Sequence, residues 1–350
     1  MIPKKDIYDL LIKNNKASNV KSINAYSISL FNLGSQYEKI SNKSKNKLEF
    51  NKNLDWLENT KEVMEVLNTK MSYKGKLFSE TTKKNYITSI IVAIRNIYKN
   101  DGKWLKIGNI YRDLAYKAMK KYQAYLDTHN KTEREKVNWT SWTSLLKVKN
   151  ELYKSIKERD ILKNEDLKKK DFLLLQKYII ASLYLLEIPR RTEYANCIVI
   201  NEKDFIDLSN ETKKQTNFLV VKSRNKKYFY FTNFKTQRWE GNIRVDVNSK
   251  LNTVLNLWLK HIPPKTKEED IFSKKWLLYN NSLKKMSNNN LVKNIQKIFS
   301  GTGKKISVTM LRHIFTSEKG VLKDIDPVKL HEEAKKSSHS VKRHIEYIKV

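Results

Sequence analysis

The chain has 350 residues, and 70 Lys and Arg against 37 Asp and Glu leave a formal net charge of +33. That balance points to a polyanionic partner, nucleic acid being the commonest. One cysteine, Cys197, excludes an internal disulfide and any cysteine-based zinc site.

Other bounds follow from patterning. No apolar run reaches membrane-spanning length, and the opening MIPKKDIYDLL lacks a signal-peptide core. A soluble, intracellular protein that is not secreted is therefore expected. Skewed residue usage, rich in Asn and Lys and poor in Gly and Pro, accounts for single lysines but not for so large an excess over acids. The excess runs along the whole chain, so folded surface rather than one basic tail carries it. Hydrophobic residues make up 39 %, with 18 Tyr and 7 Trp, enough to bury real cores. Two domains are expected at this length.

In chain order, residues 1–130 read as a helical domain. Ile23, Tyr26, Leu30 and Leu33 recur at helical spacing, as do Tyr86, Ile90, Ala93, Ile94 and Ile97. Lys43, Lys45 and Lys47 punctuate a connection, where solvated loop and phosphate contact are equally open readings; they are taken as candidate DNA-binding residues. Residues 131–138 lie in the polar stretch HNKTEREKVN and read as a linker. A second domain, 139–350, opens on a helix holding Leu145 and Val148, with Thr140 or Ser141 as its cap. A long apolar helix from Asp171 to Leu186 stops before Pro189. The strings FLVVK, YFYFTNF and NIRVDV between Phe218 and Val247 predict a small antiparallel sheet, with turns at Arg224-Asn225 and Glu240-Gly241. Helices are expected again over Leu251–Leu259, Leu291–Phe299 and Val308–Ser317. The fold class is thus mainly α with a small antiparallel sheet in the C-terminal domain.

Four strings carry groups that can act on a phosphodiester. Pro189-Arg190-Arg191-Thr192-Glu193-Tyr194 follows the apolar helix, and a charged pair there is costly to bury unless it meets an anion. An ion pair between an arginine and Glu193 is the competing reading. Asn233-Phe234-Lys235-Thr236 lies in the strand region. Leu311-Arg312-His313 stands in a helix with Val308, Leu311 and Phe315 on its apolar face, and Thr309 one turn before Arg312. His339-Ser340 precedes Tyr347 by eight residues. Arginines balance charge on a phosphate, a histidine moves or shares a proton, and a tyrosine can hold a phosphate covalently.

Taken in order, these strings resemble the tyrosine recombinases, the phage-integrase family, over about Trp139 to the end. The PRRTEY and hairpin forms are most similar to the branch carried by large DNA viruses and mobile elements. The resemblance implies a C-shaped two-domain clamp whose N-terminal helices serve as the core-binding domain. It implies catalytic roles for Arg190, Lys235, Arg312, His339 and the nucleophile Tyr347, with Glu193, Thr309 and His313 in support and Arg191 on DNA. Lys222 and Lys227 are rivals of Lys235. It further implies double-stranded DNA as partner, a homotetramer on two DNA sites, no metal and no cofactor, and a place in the nucleus, the cytoplasm or a viral factory.

The implied reaction is site-specific recombination or integration through a 3′-phosphotyrosyl intermediate, without ATP. A type IB topoisomerase or a catalytically inactive DNA-binding relative are the alternatives. A phenol ionises near pH ~10 in water, so a tyrosine nucleophile working at neutral pH needs cations around it. Two features depart from the family pattern. Thr309 stands where a histidine is usual, and a hydroxyl can hydrogen-bond a phosphate but is no base near neutral pH. Three residues follow Tyr347, whereas many relatives carry a helix there that docks on a neighbouring protomer.

Overall fold

A computed structural model of the chain describes residues 3–14, 20–41, 54–69, 75, 77–164, 166–262, 275–320 and 327–350. Lys43, Lys45 and Lys47 lie outside the described residues. The chain divides into two compact units, Met1–Thr128 and His129–Val350. Among the described residues no helix is long and apolar enough to cross a membrane.

The first unit is helical: α1 Lys4–Asn14, α2 Val20–Ser41, α3 Thr60–Thr69, α4 Glu80–Ile97 and α5 Gly102–Asp127. The expected apolar stripes become its core, with Ile23, Leu30 and Leu33 of α2 packed with Ile90, Ala93 and Ile94 of α4. Side chains satisfy the free N–H groups that open the helices. Ser79 accepts from Thr82 at the start of α4, and Asp101 accepts from Lys103 and Trp104 at the start of α5. Gly108 allows α5 to approach α4 closely, since a Cβ there would stand 3.3 Å from Ile94 Cγ2.

The second unit opens with α6 Glu133–Asn138 and α7 Trp142–Glu158. The stretch expected as linker thus contains a helix. Thr132 accepts from Glu135 N–H while the Glu135 carboxylate accepts from Thr132 N–H, a capping box that starts a helix without an apolar face. Ser141 caps α7. The apolar helix is α8 Lys169–Leu185, buried at Phe172, Leu175, Gln176 and continuously from Tyr178 to Leu185. Its second half, buried on every side, belongs at the centre of the domain, and α8 packs with α7, α12 Ser249–His261 and α13 Asn288–Ile298.

The sheet has five strands in the order β4-β3-β2-β1-β5: β1 Cys197–Asn201, β2 Asn217–Val221, β3 Lys227–Phe231, β4 Ile243–Asp246 and β5 Lys275–Trp276. It is mixed rather than antiparallel. β1 runs parallel to β2, with Cys197 opposite Asn217, while the other three pairings are antiparallel. The missed strand reads CIVIN, a short apolar run that periodicity cannot tell from helix. Short helices α9 Glu202–Ile206 and α10 Asn210–Lys213 make the crossover, and α11 Gln237–Glu240 lies between β3 and β4. Three helices close the unit: α14 Val308–Glu318, α15 Pro327–Lys336 and α16 Val341–Ile345.

Asn217 ties the sheet to the turn that follows α8. Its Oδ1 accepts from Thr232 N–H at 3.0 Å and Asn233 N–H at 2.8 Å. Its Nδ2 donates to the carbonyls of Glu193 and Asn233, both at 3.1 Å. The side chain is fully buried and uses both amide ends. Asn217→Leu keeps the volume and strands these backbone groups, so urea unfolding should show a loss of about 2–4 kcal/mol; an unchanged midpoint would refute the tie.

Candidate active site

Burial is the first property of the candidate residues. α8 ends against Leu186, the chain turns at Pro189, and Arg190 points inward with 2 % of its surface exposed. Arg312 leaves the middle of α14 and is 3 % exposed. Two guanidiniums this deep need acceptors. Arg190 donates through Nη1 to the Lys336 carbonyl and through Nη2 to the Ser338 hydroxyl. Arg312 Nη2 donates to the Ser337 carbonyl at 2.8 Å and lies against the His339 ring. Arg191 Nη1 reaches the Ser338 carbonyl at 3.4 Å. Residues 190 and 312, far apart in sequence, thus meet on one loop, 336–339, between α15 and α16.

The acceptors are neutral oxygens. The donors of Arg190 go to this loop rather than to Glu193, whose carbonyl is held by Asn217. The Arg190 guanidinium also packs over the Phe231 ring, 3.8 Å from its centroid. Burial pulls Arg190 below its ordinary range and brings Arg312 down to about 10. Ser338 sits at φ 56°, in the left-handed region, where a residue other than glycine is strained.

Tyr347 follows α16 and is 8 % exposed. Its ring is flanked by two imidazoles: His313 stacks on it at 4.5 Å and 21°, and His339 lies 4.4 Å away at 45°. The Arg312 guanidinium stands 4.9 Å from the ring centroid. Ser340 caps α16 by accepting from Arg343 N–H. Beyond Tyr347 the backbone is pinned, with Lys349 N–H donating to Ser317 Oγ at 2.8 Å and Val350 N–H to the His129 carbonyl at 3.0 Å.

Both flanking histidines are held neutral. Burial first, then the neighbouring Arg312, pushes His339 far below its usual range. Burial brings His313 down to about 4 although Glu135 attracts a proton to it from 3.6 Å. Burial raises Glu135 too, but Thr132 and His313 reverse that and leave it lowered. Beneath the site, His344 Nε2 meets Glu333 Oε1 at 3.0 Å.

The hairpin lysines separate clearly. Lys227 is buried and donates to Arg224 O, Asn252 Oδ1 and Asn256 Oδ1, a structural anchor at the far end of β3. Lys222 pairs with Glu202. Lys235 is exposed on the turn after β3, between two residues that touch the loop and the buried arginine. Phe234 lies 5.6 Å from the Arg190 guanidinium, and Thr236 Oγ1 donates to the Ser338 carbonyl at 3.3 Å. Thr309 is exposed on the first turn of α14.

Sequence reasoning did not single out Glu135, Thr236, Glu333, His344 or the Lys336–Ser338 acceptors. Of the serine run before His339 only the Ser338 hydroxyl accepts from a guanidinium, the others of these acceptors being main-chain carbonyls. Buried polar atoms without a hydrogen-bond partner include Arg190 Nε, Glu193 Oε2, Arg312 Nε, His313 Nδ1 and His344 Nδ1. Arg190 Nε and Arg312 Nε are spare buried donors that fit an anionic ligand, whereas Glu193 Oε2 is an acceptor. Among the described residues no cluster of three or more His, Cys, Asp or Glu is placed to hold a metal ion.

These imidazoles set a pH dependence of stability. The unfolded chain protonates them near pH ~6.5 while the fold resists, so the unfolded state binds more protons between about 6.5 and 4. Stability is therefore expected to fall as pH drops through that window. His313→Gln should flatten the fall in a series of thermal melts; an unchanged slope would mean that His313 is not held neutral.

No family model and no curated protein matches the chain. Among solved structures it is similar to one described as the crystal structure of XerA recombinase, at a TM-score of 0.37 and 11 % identity, over 99 % of this chain and 94 % of that one. At that distance the likeness carries no weight for fold or activity.

Proposed function

We propose that the protein is a DNA strand-breaking and rejoining enzyme of the tyrosine recombinase type, with Tyr347 as nucleophile. The observation that carries this reading is the meeting of Arg190, Arg312 and His339 on one loop beside the Tyr347 ring. Guanidiniums are planar, permanently charged and suited to paired contacts with phosphate oxygens. In the proposed complex the non-bridging oxygens of one phosphate replace the loop oxygens at Arg190 and Arg312.

The reaction then runs as an in-line exchange. The Tyr347 oxygen bonds to phosphorus while the bond from phosphorus to the 5′ oxygen breaks, leaving a 3′-phosphotyrosine and a 5′-hydroxyl. His313 and His339 lie against the phenol ring, and a phosphate bound beside them would raise their affinity for a proton, so one of them would take the phenol's proton, the role Thr309 cannot fill. Lys235 supplies a proton to the departing 5′ oxygen, from the turn beside Phe234 and Thr236. The phosphotyrosine retains the bond energy, so a second 5′-hydroxyl reverses the step without ATP. A tetramer holding two duplexes would make that reversal a strand exchange.

A nicked duplex that loses its 5′ fragment on cleavage should trap a covalent adduct, in EDTA as well as without it. Tyr347→Phe should form none, and Arg312→Ala should slow adduct formation about a hundred- to a thousandfold. An adduct persisting in Tyr347→Phe would move the nucleophile elsewhere. No adduct on any duplex would leave a binding-only protein, and relaxation of any supercoiled plasmid by monomers would indicate a topoisomerase. Lys235→Ala should cleave slowly on an ordinary duplex and at near wild-type rate when the 5′ leaving atom is sulfur, which departs without a proton. Absence of that rescue would remove Lys235 from its role.

A further inference from the structure

A second cationic site lies elsewhere on the C-terminal unit. The first half of α8 and the facing side of α13 border a cleft of about 410 Å³, with Arg159 after α7 also lining it. Lys170 and Lys177 stand on the α8 side, Lys293 and Lys297 on the α13 side, and half-buried Leu173 and Leu174 complete the α8 side between its lysines. Among the described residues no acid lines it. Asp171 engages Arg159 at 3.2 Å, so among the described residues the four lysines meet no carboxylate in the cleft. Burial, then the nearness of Lys297, lowers Lys177, so the like charges act on one another.

The cleft is distinct from the tyrosine site. Lys177 precedes the end of α8 by eight residues and Lys170 by fifteen, or about 12 and 22 Å of helix rise from the turn that bears Arg190. The pattern of charge identifies the ligand. Lys170 and Lys177 are two turns apart on one helix, and Lys293 and Lys297 one turn apart on the other, so point charges line both banks of an apolar-walled track. Lysine ammoniums contact phosphates as point charges, and their spacing along two helices suits a ligand that carries one charge at regular intervals.

We infer that this cleft holds successive phosphates of a nucleic-acid backbone, a contact separate from the phosphate at Tyr347. The inference rests on the proposed DNA reading and extends it to a second binding surface. A strand seated there anchors DNA away from the cleavage point and fixes its path over the C-terminal unit.

The test compares the full-length protein with the double variant Lys177→Gln, Lys297→Gln. Removing a mutual repulsion should leave thermal stability equal or slightly raised, so loss of fold does not confuse the result. Binding of a labelled duplex is measured over a range of salt. Each phosphate contact contributes about 0.9 to the slope of log affinity against log salt, so the variant's slope should be shallower by about 2. Equal slopes and affinities would overturn the inference. So would a variant that loses binding to polyglutamate while its duplex binding is unchanged, since the cleft would then serve an acidic protein. Adduct trapping on the nicked duplex separates the two readings. A wild type that forms no adduct but differs from the variant in slope keeps the cleft and sinks the strand-cutting reading; an adduct with equal slopes does the reverse.

Discussion

Two buried guanidiniums sharing one loop are the constraint around which the C-terminal unit is arranged. Arg190 and Arg312 are 2 % and 3 % exposed, and desolvating such charges costs several kcal/mol each unless donors find acceptors. The acceptors are the oxygens of Lys336, Ser337 and Ser338, with the Phe231 face and the His339 ring filling the remaining contacts. Because three successive residues serve both arginines, the loop's conformation and the spacing of the charges are fixed together. The left-handed Ser338 is a local strain consistent with that demand.

The rest of the fold brings these parts to one place. α8, buried from Tyr178 to Leu185, carries the chain to the Pro189 turn and delivers Arg190 from the centre of the domain. The start of β2 and the end of β3 lie at the same place, since Asn217 holds the Glu193 carbonyl and the Thr232–Asn233 backbone at once. Packing, not the loop alone, therefore sets where Phe231, Phe234 and Thr236 stand. α14 carries Arg312 and His313 on successive positions, so one helix addresses both the loop and the Tyr347 ring.

Much of the architecture was legible in the chain because apolar spacing maps directly onto burial. Ile23, Leu30 and Leu33 form the inner face of α2, and the run DFLLLQKYIIASLYLL forms a helix whose second half, Tyr178 to Leu185, is buried on all sides. The antiparallel reading of the sheet failed at β1, since CIVI has neither alternation nor a turn signal to mark it as a parallel strand. The stretch before Trp139 is polar, and only Thr132 and Glu135, three positions apart, signal the short helix within it. For the candidate site, order and residue type single out Arg190, Arg312, His339 and Tyr347, which the fold brings to one loop and the ring beside it. Their common loop was not legible, because carbonyl acceptors leave no mark in side-chain identity. Nor was the fate of Lys227, whose three oxygen partners come from segments that only the fold brings near.

The neutrality of the loop oxygens has one more consequence. Since main-chain carbonyls and a serine hydroxyl already answer the two arginines, the empty protein is not left with naked charge at its heart. The arrangement of the two arginines is thereby held by the chain's own dipoles and needs no bound anion to form. Displacing dipoles that hold a cation would take an incoming group with a whole negative charge.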